Sequence, residues 1–202
     1  MPCHDFSQTR LAVCAGENWE FGTRAKFLDA VGDGTLPEDA FLRWLAQDYL
    51  FVKGLVRFAA LTVAKAPRAA QKALIGGLAA LEGELDWFEA HARERQLDFS
   101  AEPHPACRRY VDFLMAAAYS QPVEVLLAVF YGVEVAYTMA WGRLEPGGPY
   151  AEFIDRWTHP DFQAYVNELN RLVDAHPHPK QQEYFNEVMR FERDFWHMTW
   201  EG

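Results

Sequence analysis

Cysteine is scarce in this chain: Cys3, Cys14 and Cys107 are the three among 202 residues, and no two stand in a C-x-x-C pair. A disulfide framework is thereby excluded, and the odd count fits a reducing compartment, so a cytoplasmic location is expected. Long apolar runs are also missing. The opening MPCHDFSQTR has no signal-peptide core, and no later stretch reaches the roughly 18 uninterrupted apolar residues of a membrane span, so a soluble protein is expected. Clusters of positive charge are lacking too. With 29 acidic residues against 19 dispersed basic ones and a formal net charge of −10, the chain is a poor match for a phosphate backbone, which excludes nucleic acid as a partner. Period-two alternation, repeats of 20 to 50 residues and low-complexity tracts are absent as well, which removes the signals for sheet and solenoid architectures.

What is present is apolar residues recurring at three- and four-residue intervals, the period of α-helix. The fold class is therefore all-α, a bundle of about eight helices in one domain over residues 1–202. A first helix is expected from about Asn18 to Val31, stopped at Gly32-Asp33-Gly34. A second runs from about Glu38 to Ala66, where Pro67 ends it. A third, Arg68 to Gln96, carries Gly76, Gly77 and Gly83, which allow close helix approach. After a linker to Pro105 come a fourth helix to about Tyr119 and a fifth from Val123 to Leu144, apolar on nearly all sides and so expected at the centre. Glu145-Pro146-Gly147-Gly148-Pro149 is the strongest breaker, and three helices follow, Tyr150 to Trp157, Pro160 to Ala175 and Pro179 to Trp200.

Three carboxylates sit where such a bundle should be dry. Asp48 shares a helix face with Trp44, Phe51 and Val52; Glu134 lies within Val129–Tyr137 of the most apolar helix; Glu192 has Phe195 and Trp196 one turn on. A carboxylate on a buried face is costly unless it is paired or protonated. Arg57, Arg109 or Arg143 would serve as structural partners. The functional alternative is a pocket in which desolvated acids move protons or recognise an amine-bearing ring, with Tyr110, Tyr137, Trp157 and Phe195 as stacking faces.

Other chemistries leave weaker traces. Four-helix di-iron sites use Glu-x-x-His pairs, and none occurs. Glu84, His91 and Glu134 form the best set for such a site, while the histidines at 159, 176 and 178 lie near loop punctuation. No G-x-S-x-G is present, and Cys107 near two arginines fits a structural thiol better than a nucleophile.

The runs Lys26–Pro37 and Phe41–Tyr49, the segment Trp157-Thr158-His159-Pro160-Asp161-Phe162 and the closing Phe191-Glu192-Arg193-Asp194-Phe195-Trp196 together resemble the TenA family of thiamin-pyrimidine salvage enzymes over nearly the whole chain. The resemblance implies a haem-oxygenase-like helical bundle that binds no haem. The thiaminase branch of that family carries a nucleophilic cysteine on the central helix, where Leu126–Glu134 has none. Phe130–Tyr137 is similar instead to the TenA_E branch, in which a glutamate takes the cysteine's functional place. Carried over by residue, that glutamate is Glu134, the ring-recognising aspartate is Asp48 and the C-terminal glutamate is Glu192. Tyr110 is retained, whereas Phe51 and Trp157 lack the hydroxyl of the cysteine branch.

The implied activity is hydrolysis of a C–N bond in a formylamino- or aminomethyl-pyrimidine from thiamin breakdown, with no cofactor and no metal. Glu134 and Glu192 would be the catalytic acid and base in an order the residues leave open. Asp48, Phe51, Tyr110, Tyr137, Trp157 and Phe195 would bind the small aminopyrimidine. A di-iron oxidase on the same scaffold and a non-catalytic pyrimidine-binding protein stay as alternatives. Family resemblance and the surplus of tryptophan, Trp44, Trp87, Trp141 and Trp200, imply a homodimer or homotetramer.

Overall fold

The computed structural model describes residues 4–98, 100, 102–145 and 147–201. Cys3, and Phe99, Ala101 and Pro146 of the two expected linkers, lie outside them. Ten α-helices and no strand are found among the described residues: α1 (Arg10–Ala15), α2 (Glu17–Thr23), α3 (Lys26–Asp33), α4 (Glu38–Lys65), α5 (Arg68–Glu94), α6 (Pro105–Ser120), α7 (Val123–Gly142), α8 (Ala151–Thr158), α9 (Pro160–Ala175) and α10 (Gln181–Glu201).

The expected helix from Asn18 to Val31 is two helices, and α1 precedes it unforeseen. Gly16, at φ 57°, separates α1 from α2, a conformation that a side chain would strain. The break at Arg24 and Ala25, both extended, has no glycine or proline behind it. Tertiary contacts supply the reason. The Trp196 indole donates to the Gly22 carbonyl at 3.2 Å and Arg143 Nη1 to the Thr23 carbonyl at 2.8 Å. Side chains from distant segments thus satisfy carbonyls that a continuing helix would have used.

Three helical starts share one device. In His104-Pro105, His159-Pro160 and His178-Pro179 the imidazole Nδ1 accepts from the backbone N–H two residues on, at 3.1, 3.3 and 3.2 Å. The first two are the N-caps of α6 and α9, with proline in the first helical turn, where its missing N–H costs nothing. Of the histidines near loop punctuation, His159 thus caps α9, His178 makes the same bond just before α10, and His176 follows the end of α9.

Every residue of α7 from 125 to 138 is buried, and α8, α9, α10, α2 and α4 pack around it. By length and composition α7 is the one helix among the described residues apolar enough to cross a membrane, and 83% of that window is buried inside the bundle. On its other flanks α4 packs against α5 and α6. A Cβ at Gly77 of α5 would collide with the Tyr165 hydroxyl of α9, so the expected close approach is real at that glycine. Gly76 and Gly83 face open space. The tryptophan argument for association loses two of its four residues: Trp44 and Trp141 are fully buried in the core, where Trp44 also packs against Trp157 and Phe153, while Trp87 and Trp200 are half-buried.

Candidate active site

Long helices bring the singled-out acids together because each carries its carboxylate on the face turned to the core. Asp48 is 1% exposed, Glu134 6% and Glu192 1%. The arginine partners weighed for them are not there: Arg143 is engaged with Thr23 and Asp29, and among the described residues neither Arg57 nor Arg109 pairs with any of the three. Tyrosines take that place. Tyr137 donates to Asp48 Oδ1 at 2.6 Å and Tyr110 to Glu192 Oε1 at 2.6 Å. The second oxygens, Asp48 Oδ2 and Glu192 Oε2, are buried with no hydrogen-bond partner.

Burial dominates the electrostatics. It raises the Asp48 carboxyl well above the usual range; the Tyr137 hydrogen bond offsets part of this, and Glu84 adds to it. Glu134 is raised by burial and then by the charges of Glu84 and Glu192. Glu192 is raised by burial, eased by its Tyr110 hydrogen bond and raised again by Asp48. Both tyrosines are driven up as well, first by burial, so they stay protonated and act as donors. Mutual repulsion of this kind marks acids that share a site, and it separates their proton affinities.

Asp48, Phe51, Glu134, Tyr137 and Trp157 line a small chamber of about 20 Å³ together with Leu81 and Glu84, room for about one water. Tyr110, Glu192 and Phe195 are not among its lining residues. Phe51 of the chamber wall packs on two of them, its ring centroid 4.6 Å from Tyr110 and 5.8 Å from Phe195. Beyond the chamber a cleft of about 890 Å³ opens between α5, α8 and α9, and Leu81, Glu84, Glu134 and Trp157 line both spaces.

Glu84 is the acid whose place the sequence did not disclose. It reads there only as a metal-ligand candidate, because no apolar run brackets it, yet it is half-buried in the chamber wall. Its carboxyl is raised by burial and lowered in part by Arg156 and the Trp157 indole; Arg156 Nε lies 3.8 Å from Oε1. His91, its partner in the di-iron alternative, faces elsewhere. Its Nδ1 is 2.9 Å from Arg95 Nη1 and its Nε2 3.7 Å from Glu152. Among the described residues no group of three or more His, Cys, Asp or Glu side chains is arranged to hold a metal ion. Cys107 is buried with Sγ 3.5 Å from the Gln47 carbonyl. Burial, with a contribution from Asp48, pushes its thiol up to about 12, which leaves it un-ionised and unreactive.

The architecture and this acid-lined cage define a class, and comparison with known proteins narrows it. The model of the TENA/THI-4/PQQC family matches residues 17–202, and the chain belongs to that family. A probable bifunctional TENA-E protein of Glycine max is 27% identical over 197 residues, 88% of this chain and 86% of that one. An aminopyrimidine aminohydrolase of Halalkalibacterium halodurans is 25% identical over 203 residues, 90% of each chain. The solved structure of a TenA homologue from Pyrococcus furiosus superposes with a TM-score of 0.88 at 30% identity, covering 94% of this chain and 97% of its own. The haem-oxygenase-like fold is shared with a domain from Shewanella denitrificans at TM-score 0.71 and 13% identity, covering 95% of this chain and 89% of that one.

Proposed function

We propose that this protein hydrolyses a C–N bond on the side arm of an aminopyrimidine, the formylamino or aminomethyl derivative of 4-amino-2-methylpyrimidine released when thiamin degrades. The observation that carries the reading is the pair of tyrosine-held acids, Asp48 and Glu192, each with one buried oxygen left without a donor beside a third acid, Glu134, that faces the chamber. An exocyclic ring amine supplies what Asp48 Oδ2 lacks. Tyr137 fixes the Asp48 carboxyl, so the ring is held in register before the chemistry begins.

Glu134 takes a proton from water as the oxygen adds to the formyl carbon, the C–N bond breaks, and the leaving nitrogen takes up a proton. Glu192, joined to Tyr110, is the proton donor of the pair. The products are formate and the ring amine, and no cofactor enters the balance. Phe51 and Trp157 supply faces without hydroxyls. The names of the soybean and Halalkalibacterium relatives support hydrolysis within thiamin-pyrimidine salvage, and membership of the family supports association of the chain into dimers or tetramers.

Incubating the purified protein with the formylamino and aminomethyl compounds and following ring products by mass spectrometry tests the reading. Conversion of at least one is expected, with thiamin a poor substrate because no cysteine is among the residues that line the chamber. Brisk thiamin cleavage with both pyrimidines untouched would refute it.

A further inference from the structure

The neck between chamber and cleft is formed by Leu81, Glu84, Glu134 and Trp157. Two of these four are acids from different helices. The Glu84 side chain is 14% exposed and has one cationic neighbour, Arg156, whose Nε is 3.8 Å from Oε1. The Arg156 guanidinium lies over the Trp87 ring at 4.3 Å, which holds it on the cleft side. The groups around Glu84 are Asp48 from α4, Glu134 and Tyr137 from α7, Arg156 from α8 and Tyr165 from α9. Asp48 and Glu134 both feel its charge.

A ring anchored by Asp48 meets apolar walls at Phe51, Val52, Leu55 and Val133, so a polar side arm is directed to the neck. A neutral arm needs no second acid there. An ammonium does, because a buried cation without a hydrogen-bonded carboxylate is strongly disfavoured. The Trp157 indole and a long ion-pair contact to Arg156 at 3.8 Å fill only part of the four lone-pair sites of the Glu84 carboxylate, which leaves acceptor capacity for that cation.

We propose that Glu84 is a specificity-determining residue that accepts hydrogen bonds from a protonated amine on the side arm of the ring, with Arg156 as the positioning residue that holds Glu84 at the neck. The inference rests on the aminopyrimidine reading and goes beyond it by selecting the aminomethyl arm over neutral ones.

Calorimetric binding of two probes decides the matter: 4-amino-5-aminomethyl-2-methylpyrimidine and its neutral 5-hydroxymethyl analogue. Glu84→Gln should weaken the aminomethyl probe by about 10- to 100-fold, the range for a lost hydrogen bond to a charged group, and leave the hydroxymethyl probe within about twofold. Arg156→Met, at the partly exposed rim, should weaken the aminomethyl probe at pH 7 and recover as pH rises, because Glu84 without its guanidinium neighbour keeps its proton to higher pH. A purely structural role would weaken both probes alike at every pH. Equal loss for both probes in Glu84→Gln, or no loss for either, overturns the inference while the ring-binding reading stands. Failure of both probes to bind the wild-type protein overturns the two together.

Discussion

Tyr137 donates to Asp48 Oδ1 at 2.6 Å while Asp48 Oδ2, on the other side of the same carboxyl, is buried with nothing to accept from. One oxygen is fixed by the protein and the other is left for a ligand. Asp48→Asn turns one acceptor into a donor facing the ring amine. Affinity for the 5-hydroxymethyl pyrimidine should fall by about 10- to 100-fold, measured by calorimetry.

Glu134 acts as a base only when ionised, and its proton affinity is raised by burial, Glu84 and Glu192. The acid limb of kcat/KM against pH should therefore lie above the ordinary carboxylate range, with activity rising as pH climbs through it. Glu134→Gln should lower kcat by about 100-fold or more and leave ring affinity nearly unchanged. Steady-state kinetics across pH checks both statements.

The same shift has a consequence for stability. The folded chain keeps a proton on Glu134 that the unfolded chain releases at lower pH. The contribution of this group is therefore fully present below the unfolded pKa and is lost as pH rises through the higher folded value. Glu134→Gln abolishes that loss. Its melting temperature should exceed wild type at pH 8 by a few degrees, at roughly 2–4 °C per kcal/mol for a chain of this size. The gap should shrink toward pH 5 in thermal scans.

His104 caps α6 through Nδ1 and needs that nitrogen unprotonated. Burial, then Arg109 and Arg43, lower its proton affinity. Folding thus disfavours protonation, and this contribution is present above the unfolded pKa and falls away as pH drops from there to the folded one. His104→Ala should cost about 1 kcal/mol in denaturant titrations at pH 7.5, and His104→Asn should retain most of it.

Helix boundaries with strong punctuation were legible: α4 starts at Glu38 as expected and ends at Lys65, next to the expected Ala66, and α5 begins at Arg68 after Pro67. The break at Arg24 and Ala25 was not, because its cause is two donors, Trp196 and Arg143, far away in the chain. In the site, the burial of Asp48, Glu134 and Glu192 followed from apolar neighbours in sequence. That Glu84 lines the chamber and Glu192 does not could not be read there, since periodicity places a residue on a face and says nothing of the depth at which neighbouring helices close over it. The His-Pro pairs at α6 and α9 carried a usable signal in plain view: a side-chain acceptor followed by a proline that needs no donor.

A chamber with space for one water cannot admit a six-membered heterocycle as it stands. The guest has to displace side chains on arrival, and at the neck that means Trp157, which is stacked on Trp141 at 4.9 Å and packs on Trp44, Trp87 and Tyr137. Entry of a ring at this point therefore requires that aromatic packing to loosen and re-form around the guest.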